Sequence, residues 1–327
     1  MTRPTYRFAF AGDVVESVIH PLALPLVDGE PTWTCEEVEG DDPCFDPWRG
    51  VMRERVNEKE GWADTKPEGL FLRFPQHANF LVERSGRRVC MAPDPVLTEY
   101  ASHLLIDHVA PRRFVMLGEH VLHATSVALS TPRGERAIGL FGATGTGKST
   151  FATYLVSRGA RFVADDCLLL RSIPANRATV YAAIPSYAGA RLWGDSVAGI
   201  ASVGGALAEH ATVASWGKGR LDLEAQFHTS PIPTEAVVKL VRSTDSSESL
   251  LERLSPSEAT VTLVGTYFLN EKGGLTASEL LRRSSELARD LPVYRLTYPS
   301  GYEHLHRAMT VLADHFAFEI PATGPAS

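Results

Sequence analysis

Hydrophobic and polar positions alternate in short runs through the first third of the chain and recur every three to four residues in longer runs through the last third. The first pattern predicts strands and the second helices, because side chains alternate across a strand and return to one face of a helix with each turn. Residues 6–10 read as a strand, and so do 70–74, 79–83 and 88–91, the last two joined by a hairpin turn at Ser85-Gly86. Residues 95–109 carry helical periodicity through Leu97, Tyr100, Leu104, Leu105 and His108, with Asp94 placed as a cap before Pro95. After Pro111 the order becomes strand, helix, strand. Strands are predicted at 121–129 and 137–141 around a turn at 130–135, then a helix from 151 to about Gly159, then strands at 161–164, 167–171, 179–184 and 236–241. Residues 257–269, 276–289 and 301–316 are helical in period, with a strand at 293–298 between the last two. The pattern predicts a smaller β-rich N-terminal domain over residues 1–110, an α/β domain over 111–320 and a flexible tail over 321–327.

One stretch interrupts this regularity. Residues 28–67 are acidic and rich in Gly, Pro and Trp, which predicts a solvated, loop-rich segment with a short helix at 53–59. Trp33, Trp48 and Trp62 read as anchors to the domain rather than as base-stacking residues, since no basic residues interleave with them.

Composition narrows the class. The chain has 327 residues, 44% of them hydrophobic, enough for a real core. A formal charge of −7 argues against a general nucleic-acid surface. No apolar run approaches the roughly 20 residues that span a bilayer, so no membrane partner is expected. The first residues lack a signal-peptide core, and the expected location is cytoplasmic. Cys35, Cys44, Cys90 and Cys167 form no CxxC pair, so neither a zinc site nor a disulfide framework is indicated. Cys35 and Cys44 share one loop-like stretch and are expected as reduced thiols.

The chemistry concentrates at Gly142-Ala143-Thr144-Gly145-Thr146-Gly147-Lys148-Ser149-Thr150, between an apolar strand and a helix. Strand, GxxxxGK[ST] and helix in that order make a P-loop. Its glycines let successive backbone N–H groups turn inward around a phosphate chain, and the following helix presents its positive end to the same anion. Lys148 is expected to reach the β- and γ-phosphates of ATP and Ser149 to ligate Mg²⁺. The next strand runs into Asp165-Asp166. A carboxylate there suits a nucleotide-bound Mg²⁺, and a second could accept the proton of an attacking hydroxyl.

From residue 157 to Asp166 the sequence Ser-Arg-Gly-Ala-Arg-Phe-Val-Ala-Asp-Asp resembles the C-terminal domain of the HPr serine kinase/phosphorylase family. Val121-Leu122-His123-Ala124 is similar to that family's histidine segment ahead of the P-loop strand. Residues 190–195, 218–221 and 293–299 resemble stretches of a broader HPr-kinase-related group, some of whose members accompany peptide-modification gene clusters. The resemblance covers about residues 100–317. It implies an α/β, phosphoenolpyruvate-carboxykinase-like P-loop fold in which Asp165 activates the acceptor hydroxyl and Asp166 and Ser149 hold Mg²⁺. By the same resemblance His123 sits beside the phosphates and Arg191 stabilises transition-state charge, a role that suits a planar, permanently charged donor. His120 is left as structural, and Lys218 and Arg220 stand open between phosphate contact and solvated loop. The chain departs from the bifunctional enzymes at residues 188–193 and in Thr150 after Ser149, which places it with the related branch.

The expected function is therefore an ATP-dependent serine kinase acting on a protein or peptide, HPr-like or a biosynthetic precursor, with homo-oligomers possible. The alternatives are a P-loop ATPase or nucleotide-dependent switch, and a small-molecule kinase. No Asn-Lys-x-Asp stretch for guanine and no ABC-type Ser-Gly-Gly signature is present, and Asp-Asp replaces the Asp-Glu pair common in motor ATPases.

Overall fold

Short strands with one buried face recur from the start of the chain, and in a computed structural model they build the first of several sheets in a mixed α/β molecule. The structure describes residues 4–21, 24–49, 62–94, 100–175, 178–205, 211–212, 218–244, 247–268 and 275–319. Two compact units emerge, residues 1–121 with 267–280 and residues 122–266 with 281–327. The predicted helix at 53–59, the start of the helix at 95–99 and the tail at 321–327 lie outside the described residues.

In the first unit, β1 (Tyr6–Phe10), β2 (Asp13–Ser17), β3 (Trp33–Glu37), β4 (Trp62–Lys66), β5 (Gly69–Phe74), β6 (Ala78–Glu83) and β7 (Arg88–Pro93) form one sheet in the order β1-β2-β3-β7-β6-β5-β4. Strand β3 pairs in parallel with both β2 and β7. The acidic segment is thus less loop-like than its composition suggests. Trp33 and Cys35 are buried while Thr34 and Glu36 are not, a period-two pattern hidden among neighbouring charges. Trp33 and Trp48 are buried, as anchors should be; the Trp62 side chain lies outside the described part. Phe45, Trp48, Phe71, Leu81, Cys90 and Ala92 form a small core on this sheet. All four cysteines are free, and burial pushes the Cys35 thiol up to about 12.

The helical segment also differs from its sequence expectation. Helix α1 (Tyr100–Leu104) passes through one π-turn at Leu105–Val109 into α2 (Ala110–Met116), so Pro111 does not end the helix. Proline lacks an N–H and crowds the carbonyl four residues back, and the wider π-turn just before it relieves both.

Most of the main sheet belongs to the second unit. Its strands are β8 (His120–Leu122), β9 (Ala124–Thr131), β10 (Gly134–Phe141), β11 (Arg161–Ala164), β12 (Leu168–Ala175), β13 (Ala178–Ile184), β17 (Ile232–Ser243), β18 (Leu250–Arg253) and β19 (Val293–Pro299). The path runs β11-β9-β10-β17-β13-β12-β8, with β19 beside β17 and β18 beside β19. A separate small sheet has the order β14-β16-β15, from β14 (Gly189–Trp193), β15 (Ala211–Thr212) and β16 (Lys218–Asp222).

Direction matters more than number here. β10, β17 and β19 pair in parallel. β9 is antiparallel to β10 and to β11, so β11 runs the same way as the other three. Four carboxyl ends therefore reach one edge of the sheet, where open α/β sheets bind ligands.

Helices complete the unit: α3 (Lys148–Val156), α4 (Gly194–Ser202), α5 (Pro256–Val264), α6 (Ala277–Asp290) and α7 (Leu305–Phe316). In α7, Leu305, Ala308, Met309, Leu312, Ala313 and Phe316 form the buried stripe that a 3.6-residue period predicts. They join a core with Phe151 and Leu155 of α3 and Val238 and Leu240 of β17. Among the described residues no helix is long and apolar enough to cross a membrane.

Candidate functional site

The apolar strand β10 delivers the chain to the glycine-rich loop, and α3 begins directly after it at Lys148. Ala143, Thr144 and Gly145 form the exposed crown of the loop. The Thr146 N–H and hydroxyl both donate to the Ala143 carbonyl, at 3.1 and 2.8 Å, which closes the turn. Gly147 caps α3 with a left-handed φ of 90°, a conformation that favours glycine. The Phe151 N–H donates to its carbonyl and starts the helix ladder.

Lys148 is buried, and its ammonium donates to the carbonyl of Gly142 at 3.2 Å, so the side chain folds back over the loop. Ser149, one position on, donates its hydroxyl to Asp165 Oδ1 at 2.9 Å. Thr150 points elsewhere: its hydroxyl donates to Ser196 Oγ at 3.2 Å, tying α3 to α4.

Asp165 follows the end of β11 and is fully buried. Thr125, on β9 between β11 and β10, donates to Asp165 Oδ1 at 2.7 Å, and the backbone N–H of Arg191 on β14 donates to Oδ2 at 3.1 Å. Burial pushes this carboxyl up to about 6, helped by the charge of Asp166 and opposed by the three donors. The carboxylate is thus costly to charge yet well supplied with hydrogen bonds.

Asp166 adopts a left-handed φ of 56°, and across it the Cys167 N–H donates to the Asp165 carbonyl at 2.6 Å. This tight γ-turn is a strained arrangement of the kind that collects at functional sites. His123 brackets the residue: Nδ1 donates to the Asp166 carbonyl at 3.2 Å, and Nε2 lies 3.8 Å from Oδ1. With Nδ1 protonated, a neutral ring presents Nε2 as its basic nitrogen toward that carboxylate. His123 itself breaks the predicted strand over 121–129 into β8 and β9, because its N–H leaves the sheet for the Thr266 carbonyl at 2.7 Å. His120 approaches the Tyr267 hydroxyl in the first unit.

Loop, Lys148, Ser149, Asp165, Asp166 and His123 therefore converge at the carboxyl edge, and Arg191 is joined through its backbone. Arg191 stands opposite Arg220 in the β14–β16 pairing, but the side chains of Lys218 and Arg220 lie outside the described part. The Asp165 oxygen that faces Ser149 is a hard ligand, of the kind Mg²⁺ prefers. Among the described residues no group of three or more His, Cys, Asp or Glu could hold a metal.

Three residues here escaped the sequence analysis. Thr125 lies two positions after His123, and side chains two apart share a strand face. Arg242 lies one residue before the end of β17, and Tyr298, opposite it on β19, donates its hydroxyl to the Thr146 carbonyl at 3.3 Å. No local pattern ties either to the loop.

No protein-family model matches the sequence, and no curated protein does. Among solved structures, the Hpr(Ser) kinase/phosphatase from Coxiella burnetii aligns with 60% of this chain and 97% of its own, with a TM-score of 0.32 and 12% sequence identity. That likeness is too slight to carry residue roles from one protein to the other.

Proposed function

We propose that the chain is an ATP-dependent kinase that passes the γ-phosphate to a hydroxyl, with a serine of a protein or peptide as acceptor. The observation that carries this reading is the hydrogen bond from Ser149 to Asp165. It joins the hydroxyl after the loop lysine to a carboxylate at the end of a parallel strand, the pairing that Mg²⁺–nucleotide binding uses in P-loop enzymes. Gly142 to Gly147 would wrap the phosphates, Lys148 would leave the Gly142 carbonyl for them, and Ser149 would hold Mg²⁺. The bound ion would neutralise charge on the transferring phosphoryl group.

The resemblance assigns proton acceptance to Asp165 and the metal to Asp166. The hydrogen bonds favour the reverse. Asp165 is engaged by Ser149, Thr125 and the Arg191 N–H, whereas Asp166 is the more exposed carboxylate and has His123 Nε2 beside it. In this division Asp165 and Ser149 serve the metal, and Asp166 takes the proton of the acceptor hydroxyl, with His123 Nε2 beside it as a second base. Arg191 remains the candidate for transition-state charge.

Incubation with γ-labelled ATP, Mg²⁺ and candidate proteins or peptides tests the reaction. Label on a serine supports the proposal. Free phosphate alone, with tight ATP binding, favours the ATPase or switch, and a labelled metabolite favours a small-molecule kinase. Asp166→Asn should keep MgATP binding and lose transfer; if only Asp165→Asn shows that split, the roles return to the first assignment.

A further inference from the structure

A cation outside the P-loop pattern reaches the glycine-rich loop from β17. A Cβ built on Gly147 would stand 2.5 Å from Nη2 of Arg242, so the guanidinium occupies the space that any other residue at 147 would fill. Tyr298 holds it there. Its phenol stands beside Arg242 across the β17–β19 pairing, and its proton goes to the Thr146 carbonyl at 3.3 Å. Tyr298 is in turn fixed, 1% exposed and stacked on Phe151 of α3 at 5.8 Å between ring centroids.

The setting of this arginine differs from that of its surface counterparts. Arg161 pairs with Glu135, Arg133 with Glu235, and Arg88 with Glu36 and Glu83. Arg242 meets a neutral phenol, and among the described residues no carboxylate forms an ion pair with it. Its charge stands beside the N-terminal end of α3, where the helix macrodipole is also positive, and on the same loop as Lys148. Such an accumulation of positive charge is unfavourable by itself and is relieved by an anion. A guanidinium has five N–H donors, so a fork placed beside a single phenol keeps most of them available for phosphate oxygens.

We infer that Arg242 is a second phosphate-binding cation of this site, positioned by Tyr298 at the last turn of the loop, and that its ligand is the phosphate chain of a nucleoside triphosphate. The inference rests on the phosphotransferase reading above. Lys148 serves one end of the loop, at Gly142, and Arg242 the other, at Gly147.

The test is calorimetric titration of the purified chain with MgATP and with adenosine, for the wild type, Lys148→Ala, Arg242→Ala, Arg242→Lys and Tyr298→Phe. Charge-assisted bonds to phosphate predict that Arg242→Ala weakens MgATP binding by about tenfold or more, leaving adenosine binding and the ligand-free melting temperature unchanged. Arg242→Lys should recover part of the loss, because an ammonium keeps the charge without the fork, and Tyr298→Phe should cost about threefold. If Arg242→Ala binds MgATP as the wild type does while Lys148→Ala does not, the inference fails and the kinase reading stands. Equal losses for MgATP and adenosine with a lowered melting temperature would make Arg242 a structural prop, and again the inference fails. A wild type that binds no MgATP overturns the kinase reading and this inference with it.

Discussion

The Ser149 hydroxyl donates to a carboxylate, Asp165, that is buried away from water yet holds hydrogen bonds from two further donors. Its folded-state value of about 6 lies above the ordinary 3.8, so the folded protein holds this proton more tightly than the unfolded chain. The resulting stability is complete below about pH 4 and is lost as pH rises through about 6, on the order of 3 kcal/mol for a shift of this size. Asp42, Glu258 and Asp290, held below their usual range by hydrogen bonds, act in the opposite direction over lower pH. The difference between wild type and Asp165→Asn isolates the one group. Denaturant unfolding of the ligand-free protein in chelator should show the wild type losing stability relative to the variant between pH 4 and 6. Parallel curves would assign the effect elsewhere.

Lys148 donates to the Gly142 carbonyl, a bond worth about 1 kcal/mol net. Lys148→Ala should therefore change ligand-free stability far less than it changes catalysis. Phosphoryl transfer should fall by about a hundredfold or more, because a preorganised charge on the transferring group is lost. Steady-state kinetics beside a denaturant curve would show whether activity and stability separate in this way.

In the first unit, Arg113 Nη1 donates to Asp13 Oδ2 at 3.0 Å, its Nε donates to the Gly86 carbonyl, and its guanidinium lies 4.8 Å from the Trp33 ring centroid. Both charged residues are buried, at 3% and 8% exposure. Asp13→Ala strands a buried cation and should cost about 3–5 kcal/mol, whereas Asp13→Leu with Arg113→Met should cost far less. Urea unfolding of the single and double variants measures the gap.

Trp48 stacks on Phe71 with 5.8 Å between centroids and has no exposed surface. Removing so large a buried ring should cost about 3–5 kcal/mol, so Trp48→Ala should lower the unfolding midpoint sharply. A midpoint close to that of the wild type would return the acidic segment to a loosely attached loop.

What could be read from the sequence was local. The loop from Gly142 to Thr150 announces itself by spacing, and Asp165-Asp166 by following an apolar strand. Residues joined by strand register left no such trace. Tyr298 reaches the Thr146 carbonyl across 152 positions, and Arg242 meets Tyr298 only because β17 and β19 pair in parallel. Other differences came from competing forces. Trp33 and Cys35 alternate as strand residues should, but surrounding carboxylates and prolines dominated the local composition. Pro111 looked like a helix stop because the π-turn that accommodates it has no compositional signature. His123 was read inside one strand, whereas its N–H pairs with Thr266, far along the chain.

The parallel pairing of β10, β17 and β19 also fixes an order of assembly during synthesis. The loop leaves the ribosome with α3, well before the residues that brace it. β17 arrives later to flank β10, and Tyr298 on β19 emerges later still. Parallel contacts distant in sequence cannot form until their last partner is present. A nascent chain stalled before β19 therefore carries a complete phosphate-loop sequence with its brace still missing, and it acquires a finished site only as the final strand and α7 are added. The loop is therefore synthesised 152 positions ahead of the tyrosine that braces it.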